Sequence, residues 1–313
     1  MDEAEKRIMG LWDIVLLGIT FAMLAIAAYL FVNELNVQNV EYKEFVAETT
    51  LNVSGETNQF YPNMRFTTKD LGYMIESVCS EANKLKIIEG LDEIKSRTIV
   101  SFHPSNDPDI IYECSSKSPT AEEKKNHLVA GAARPRFVNA SRFYIIRQTN
   151  VSLYIEESCK RPIVVIHETL HALGFDHVND KNDIMYPIAD CNQQISNYTI
   201  NEINRLYSIP EQSDLVILKI TANTTGRYLN FNISVANLGL KDAENVNLTI
   251  FNEKHLIEIF GLDDIGTGQT KLLDVHNLNI PKESVTLTFS AKNGESADLH
   301  PDDNYAYVTA KPE

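Results

Sequence analysis

Hydrophobic positions divide the chain into stretches of different character. Residues 11–32 are a nearly unbroken apolar run with one acid, Asp13, near its start. About 20 residues of helix cross the hydrocarbon core of a bilayer, so the run predicts a single transmembrane helix, and no later run is comparable. Residues 1–10 then form a short cytoplasmic tail. Residues 33–55 carry Glu34, Glu41, Lys43, Glu44 and Glu48 and read as a stalk. Residues 56–209 mix two periods. Residues 60–66 suggest a first strand. Leu71, Met74, Ile75, Val78, Ala82, Ile87 and Ile88 follow the helical period, with Thr68 or Asp70 as cap and Gly90 as stop. Residues 98–102 and 110–112 read as strands, and 115–126 as a polar loop. Two more strands, 127–133 and 143–147, are separated by a break at Arg134-Pro135-Arg136. A helix follows Pro162, and another spans 197–207 before a boundary at Pro210. From 214 to 313 the pattern becomes alternation: Leu229, Phe231, Ile233 and Val235, then Val246, Leu248 and Ile250, then Val285, Leu287 and Phe289. About seven short strands in this length predict an immunoglobulin-like β-sandwich.

Charge and flanking residues refine the first stretch. A signal peptide cleaved after Ala25-Ile26-Ala27 is the rival to an anchor. However, the apolar run continues through residues 28–32, and Asp2, Glu3 and Glu5 accompany Lys6 and Arg7, which favours an uncleaved span. Lys6 and Arg7 before the span, against Lys43 alone soon after it, place the N-terminus inside and the body outside. The net charge of −15 argues against a nucleic-acid surface. Sequons at Asn52, Asn139, Asn150, Asn197, Asn223, Asn232 and Asn247 suit a translocated, glycosylated body. Four cysteines, Cys79, Cys114, Cys159 and Cys191, all follow the span. Outside the cytosol they are expected to pair. Three connectivities are open. The favoured one joins Cys159 to Cys191, across the helix after Pro162 and the turn beyond it, and Cys79 to Cys114. Free buried thiols are the alternative.

The chemistry is concentrated in residues 165–177. His167 and His171 are four apart, so on a helix they project from one face, one turn apart. Gly174 can turn the chain at no steric cost and return His177 as a third ligand. Three neutral imidazoles leave one position of a tetrahedral Zn²⁺ open for water, the catalytic arrangement. Glu168, beside the first ligand, can reach that water. Lone His103 and His127 read as strand or surface residues. Downstream, Met185 lies in Asn182-Asp183-Ile184-Met185-Tyr186-Pro187.

The pattern H-E-x-x-H-x-x-G-x-x-H followed by Met185 resembles the metzincin metalloproteases. His171-Ala172-Leu173-Gly174-Phe175-Asp176-His177 and Met185-Tyr186-Pro187 resemble the matrixins among them, and residues 199–207 look like the matrixins' final helix. The resemblance is specific over about residues 160–208. It implies an α+β catalytic domain, with a twisted sheet and an active-site helix, in which Met185 shapes the floor under the metal. It further implies that residues 128–133 form an edge strand above the metal, able to hold an extended peptide. Asp176 is then structural, and Tyr186 is no ligand. Val178 replaces the usual Ser or Thr. A cysteine-switch motif is absent, since Pro135-Arg136 is followed by Phe137, and the animal matrixins' structural-ion loop has no match. In the sandwich, Asp214-Leu215-Val216, Val235-Ala236-Asn237-Leu238-Gly239 and Asp302-Asp303-Asn304 resemble CARDB-type adhesion modules, implying a cell-surface protein or glycan partner. Glu295, Asp298, Asp302 and Asp303 could attract calcium but read as a solvated acidic end. The combined expectation is a membrane-anchored, outward-facing zinc endopeptidase acting on peptides or proteins. The rival is a non-catalytic surface adhesion protein with a structural zinc site, and an intact Glu168 speaks against it.

Overall fold

Two hydrophobic cores form, one under a mixed sheet and one between two antiparallel sheets. The computed structural model describes residues 23, 43–46, 58–115, 129–156, 158–253, 255–281, 285–294 and 297–310. Among them no helix is long and apolar enough to cross a membrane. The expected span at 11–32 lies outside them, save Met23.

The first body holds β2 (Met64–Arg65), β3 (Asp70–Ile75), β4 (Ser101–Pro104), β5 (Ile110–Cys114), β6 (Gly131–Asn139) and β7 (Tyr144–Leu153). The sheet order is β2-β7-β5-β3-β4 with parallel pairing, and β6 runs antiparallel along the other side of β7. β6 is thus an edge strand of this sheet, with β4 at the opposite edge. Helices α1 (Glu81–Arg97), α2 (Ile163–Ala172) and α3 (Asn197–Tyr207) complete the body. α1 lies against α2, and Leu71, Ile87, Ile94, Ile110, Ile166 and Leu170 fill the space beneath.

Several local expectations are corrected. Residues 70–75 are strand β3, not helix. Gly72 weakens a helix there, and parallel pairing with both β4 and β5 supplies backbone bonds that no local period reveals. The helix begins instead at Ser80, whose hydroxyl accepts from the Asn83 N–H at 3.2 Å. Gly90 does not stop α1 but sits inside it. A Cβ there would lie 2.8 Å from Val165 Cγ1, so Gly90 lets α1 approach α2. The strand expected over 60–66 shrinks to the two residues of β2, after a turn in which Asn63 is left-handed (φ 54°). The break expected at Arg134-Pro135-Arg136 does not occur. Tyr154 N–H bonds the Ala130 carbonyl, so by alternation residues 131, 133 and 135 turn their backbone groups away from β7. Pro135 loses no ladder bond there, which is where an edge strand tolerates proline.

The second body holds β8 (Leu215–Thr225), β9 (Tyr228–Asn237), β10 (Ala243–Asn252), β11 (His255–Ile265), β12 (Gln269–Asn279), β13 (Val285–Lys292) and β14 (Tyr305–Ala310). The seven expected strands form two sheets, and a further strand joins them. β1 (Lys43–Val46), inside the stretch read as stalk, pairs antiparallel with β12. The orders are β1-β12-β9-β8 and β11-β10-β13-β14. Alternate residues Phe231, Ile233, Val235, Leu248, Ile250, Leu273 and Phe289 face the shared core.

The two bodies meet at the turn between β6 and β7. Ala140, Phe143 and Ile145 pack with Leu240 and Ile209. Arg142 ion-pairs with Asp214 at 2.9 Å and Asp303 at 2.7 Å. Asp214 is fully buried. The acidic end is therefore not simply solvated: Asp303 pairs with Arg142, and Asp298 accepts from the Leu215 N–H at 2.8 Å. Arg142→Ala would leave a buried carboxylate without its cation. It is expected to cost about 2–3 kcal/mol, below the figure for fully buried pairs because Arg142 is partly exposed. Scanning calorimetry should show a lower melting temperature, and an unchanged melt would contradict the pairing.

Candidate metal centre

α2 follows Pro162, which takes the N-cap position. Ile163, Val164, Val165, Ile166 and Leu170 are buried and hold the helix on the sheet. His167 and His171 lie one turn apart on the face left open, with ring centroids 4.5 Å apart. Gly174 takes a φ of +96°, and its N–H bonds the His171 carbonyl at 3.0 Å. The chain reverses there. Phe175 pairs with Gln59, the Asp176 carboxylate accepts from the His177 N–H at 2.7 Å, and the exposed His177 ring returns to the other two. Asp176 thus has the structural place expected of it.

The three imidazoles converge through Nε2. His171 and His177 Nε2 are 3.2 Å apart, and His177 and His167 Nε2 are 3.3 Å apart. A carbonyl can only accept, so the short contacts of His167 Nδ1 to the Ile184 oxygen (2.6 Å) and of His171 Nδ1 to the Phe175 oxygen (2.7 Å) put the proton on Nδ1 in both rings. Their Nε2 atoms therefore present lone pairs. Burial pushes the His167 pKa down to about 4, and burial with the neighbouring His167 takes His171 to about 3. Both rings are thus neutral ligands at ordinary pH. Tetrahedral Zn²⁺ bonded to nitrogen at about 2.0–2.1 Å separates its ligand atoms by about 3.3 Å. The residues present fit that ion in charge state, tautomer and spacing.

The Met-turn supports this set. Met185 is buried, its N–H bonds Asp183 Oδ1 at 2.8 Å, and its carbonyl takes the Val178 N–H at 3.0 Å. Ile184, whose carbonyl anchors His167, is itself tied to the Gln194 carbonyl at 2.8 Å. Disulfides join Cys159 to Cys191 and Cys79 to Cys114, with Cα separations of 5.4 and 5.0 Å. The first ties the entry of α2 to the stretch after the Met-turn. Arg161 bonds Glu93 on α1 and the Gln193 carbonyl, which adds a polar clamp at the same place.

Glu168 is only 5% exposed. Burial raises its pKa to about 8, against a lowering bond from the Ala133 N–H of β6. Oε2 has no hydrogen-bond partner among the described residues. One carboxylate oxygen of Glu168, the sequence neighbour of His167, is therefore left unpaired. Beneath it, Thr169 shares a 2.8 Å hydrogen bond with Tyr112.

The other candidates fall elsewhere. His103 is exposed on β4, 3.2 Å from Asp70, and His127 lies outside the described residues. Tyr186 is half-buried and does not join the cluster. Asn197, Asn223 and Asn247 are exposed, Asn139, Asn150 and Asn232 are half-buried, and Asn52 and Glu295 lie outside the described residues. Residues that sequence reading missed are the carbonyls of Ile184 and Phe175, Gly131 and Ala133 against Glu168, and Phe60, stacked on His171 at 5.4 Å. Backbone groups carry no side-chain signature. Phe60 lies too far along the chain to be linked with His171 by spacing.

Residues 78–208 match the family model Peptidase_M10, matrixin. Among solved structures, the chain is similar to high choriolytic enzyme 1, a hatching-enzyme zinc protease from the medaka fish Oryzias latipes. The match has 17% identity and a TM-score of 0.31, covering 45% of this chain and 90% of that one. It is also similar to a CARDB domain from Pyrococcus furiosus, solved in complex with di-metal ions (14% identity, TM-score 0.28, covering 32% and 89%). A third similar structure is a domain of a putative cell surface protein from Methanosarcina acetivorans (17% identity, TM-score 0.25, covering 33% and 93%). No curated protein matches the chain by sequence. The family match and the histidine triad together define a zinc metalloprotease with a matrixin-like domain, and Zn²⁺ is its cofactor.

Because the ion binds the folded triad, it should stabilise the fold by mass action, by about 3–4 kcal/mol at free zinc 10²–10³ times the dissociation constant. A chelator should lower the melting temperature of the wild-type chain and added zinc restore it. His171→Ala should melt at one temperature with or without chelator. A wild-type melt indifferent to both reagents would contradict the site.

Proposed function

We propose that the chain is a single-pass, outward-facing zinc endopeptidase that uses Glu168 as general base. The observation that carries this reading is the unpaired Oε2 of a buried glutamate next in sequence to His167, one of three histidines whose Nε2 atoms converge. A purely structural zinc site has no need of a fourth, non-ligating carboxylate.

When bound, Zn²⁺ supplies Lewis acidity, polarising the scissile carbonyl and acidifying water. The remaining steps belong to the chain. His167, His171 and His177 hold the ion, with the first two kept in the right tautomer by the Ile184 and Phe175 carbonyls. A dication beside Glu168 favours its carboxylate form, offsetting the rise that burial causes. Glu168 accepts a proton from the attacking water as its oxygen bonds to the carbonyl carbon. Glu168 then passes that proton to the amine nitrogen as the C–N bond breaks. Met185 does no chemistry and packs beneath the triad. The outward carbonyls of residues 131, 133 and 135 and the outward Gly131 N–H suit an extended peptide substrate held by main-chain hydrogen bonds, since the Ala133 N–H is taken by Glu168 and Pro135 has none.

Residues 11–32 serve as the anchor, with the N-terminus inside. The pattern of Lys6, Arg7 and the sequons supports this placement. The CARDB-like module is read as the part that engages a surface protein or glycan, and the half-buried Arg142 contact holds it to the catalytic body.

Glu168→Ala in the full chain should keep one zinc per chain while peptide turnover falls by about 10²–10⁴. Turnover at the wild-type rate would exclude Glu168 as the base. The anchor is tested separately. On intact cells the body should be accessible to added protease, and the chain should leave the membrane fraction only with detergent. Release by high salt alone would exclude a spanning helix.

A further inference from the structure

Gly131 opens β6 directly against the Glu168 side chain. A methyl group built on its Cα would sit 2.6 Å from Glu168 Cγ, 2.9 Å from Oε1 and 3.0 Å from Cδ. Carbon atoms do not approach that closely without displacement. The φ of Gly131 is not in the left-handed region, so the need for glycine here is one of space and not of backbone conformation. The crowded atoms are also not a loose side-chain end. Cγ sits one bond from the Cβ of a residue fixed on α2, and the carboxyl carbon and oxygen behind it are buried. Two residues further along the same strand face, Ala133 gives its N–H to the same carboxylate. β6 therefore touches Glu168 twice, with a bare Cα along its stem and a donor at its head. Ala132, between them, points to the opposite face of the strand.

We propose that Gly131 is a positioning residue for Glu168. Its missing side chain allows β6 to close on the glutamate, so that Ala133 can hold one end of the carboxylate and Oε2 is left aimed at the triad. Any side chain at 131 would push the glutamate stem or lift the edge strand. Either movement breaks the alignment between the carboxylate and the water it must deprotonate. The three atoms nearest a Cβ at this position all belong to Glu168 and none to a histidine, so metal binding should be spared. The inference rests on the proposed role of Glu168, and it adds a determinant in a different element from the zinc motif.

The test uses the full chain and four proteins: wild type, Gly131→Ala, Glu168→Ala and the double variant. Zinc content, steady-state peptide cleavage and metal-free melting temperature are measured for each. Gly131→Ala should retain one zinc per chain and a KM close to wild type, while kcat falls by about 10²-fold, the scale of an ångström-sized misplacement. Its metal-free melting temperature should drop by several degrees. That drop should vanish when the same change is made in the Glu168→Ala background, because the atoms it strikes are gone. If Gly131→Ala does not fold, a double variant that folds like Glu168→Ala supports the contact, and a double variant that also fails overturns it. A Gly131→Ala protein with wild-type kcat overturns the proposal, as does an equal loss of stability in both backgrounds. If the zinc-loaded wild type cleaves nothing, the protease reading fails on that measurement alone, and the melting cycle still decides whether Gly131 sets the Glu168 side chain.

Discussion

His167 and His171 turn bare Nε2 lone pairs toward one point, with His177 Nε2 3.3 and 3.2 Å from them, and such a set is unfavourable until a cation sits between the rings. The catalytic body is arranged to hold that unfavourable set. The helical repeat supplies His167 and His171, and the left-handed Gly174 returns His177. Two backbone carbonyls, from Ile184 and Phe175, take the Nδ1 protons and so prevent the rings from rotating or switching tautomer. Held by these three rings, Zn²⁺ would turn that unfavourable set into binding energy and would favour the carboxylate form of the neighbouring buried Glu168.

The elements around this centre serve it at increasing distance. The Met-turn carries Ile184, and Gln194 and Asp183 brace the turn in place. The Cys159–Cys191 disulfide and Arg161 close the stretch from the start of α2 to the end of that turn. β6 caps Glu168 from above and, at its far end, leads into the turn from which Arg142 enters the sandwich. One strand therefore borders the site at one end and the interdomain contact at the other. The sandwich has its own core and meets the first body through a small apolar patch, the Arg142 ion pairs and a bond from Arg147 to the Thr267 carbonyl.

What could be read from the sequence was local. The metal motif is a matter of spacings of four and six residues, so His167, His171, His177 and Glu168 were visible at once. The sandwich was visible because period-two alternation is itself a local pattern, and the cysteines because oxidised pairs tend to brace neighbouring segments. What was hidden depends on partners distant in the chain. Residues 70–75 carry a helix-like spacing, but β4 and β5 recruit them into a sheet. Gly90 looks like a helix stop until α2 is seen pressed against it. Pro135 looks like a break until its orientation at a sheet edge is known. The carbonyls that orient two ligands have no residue identity to detect, and the pairing of Arg142 with Asp214 spans 72 positions that no motif links.

X-ray absorption at the zinc edge of the loaded chain counts the ligand atoms and measures their distances. Three imidazole nitrogens and one light oxygen donor are expected at about 2.0–2.1 Å, with no sulfur. A spectrum showing sulfur at about 2.3 Å, or four protein nitrogens and no open position, would contradict a catalytic zinc held by His167, His171 and His177.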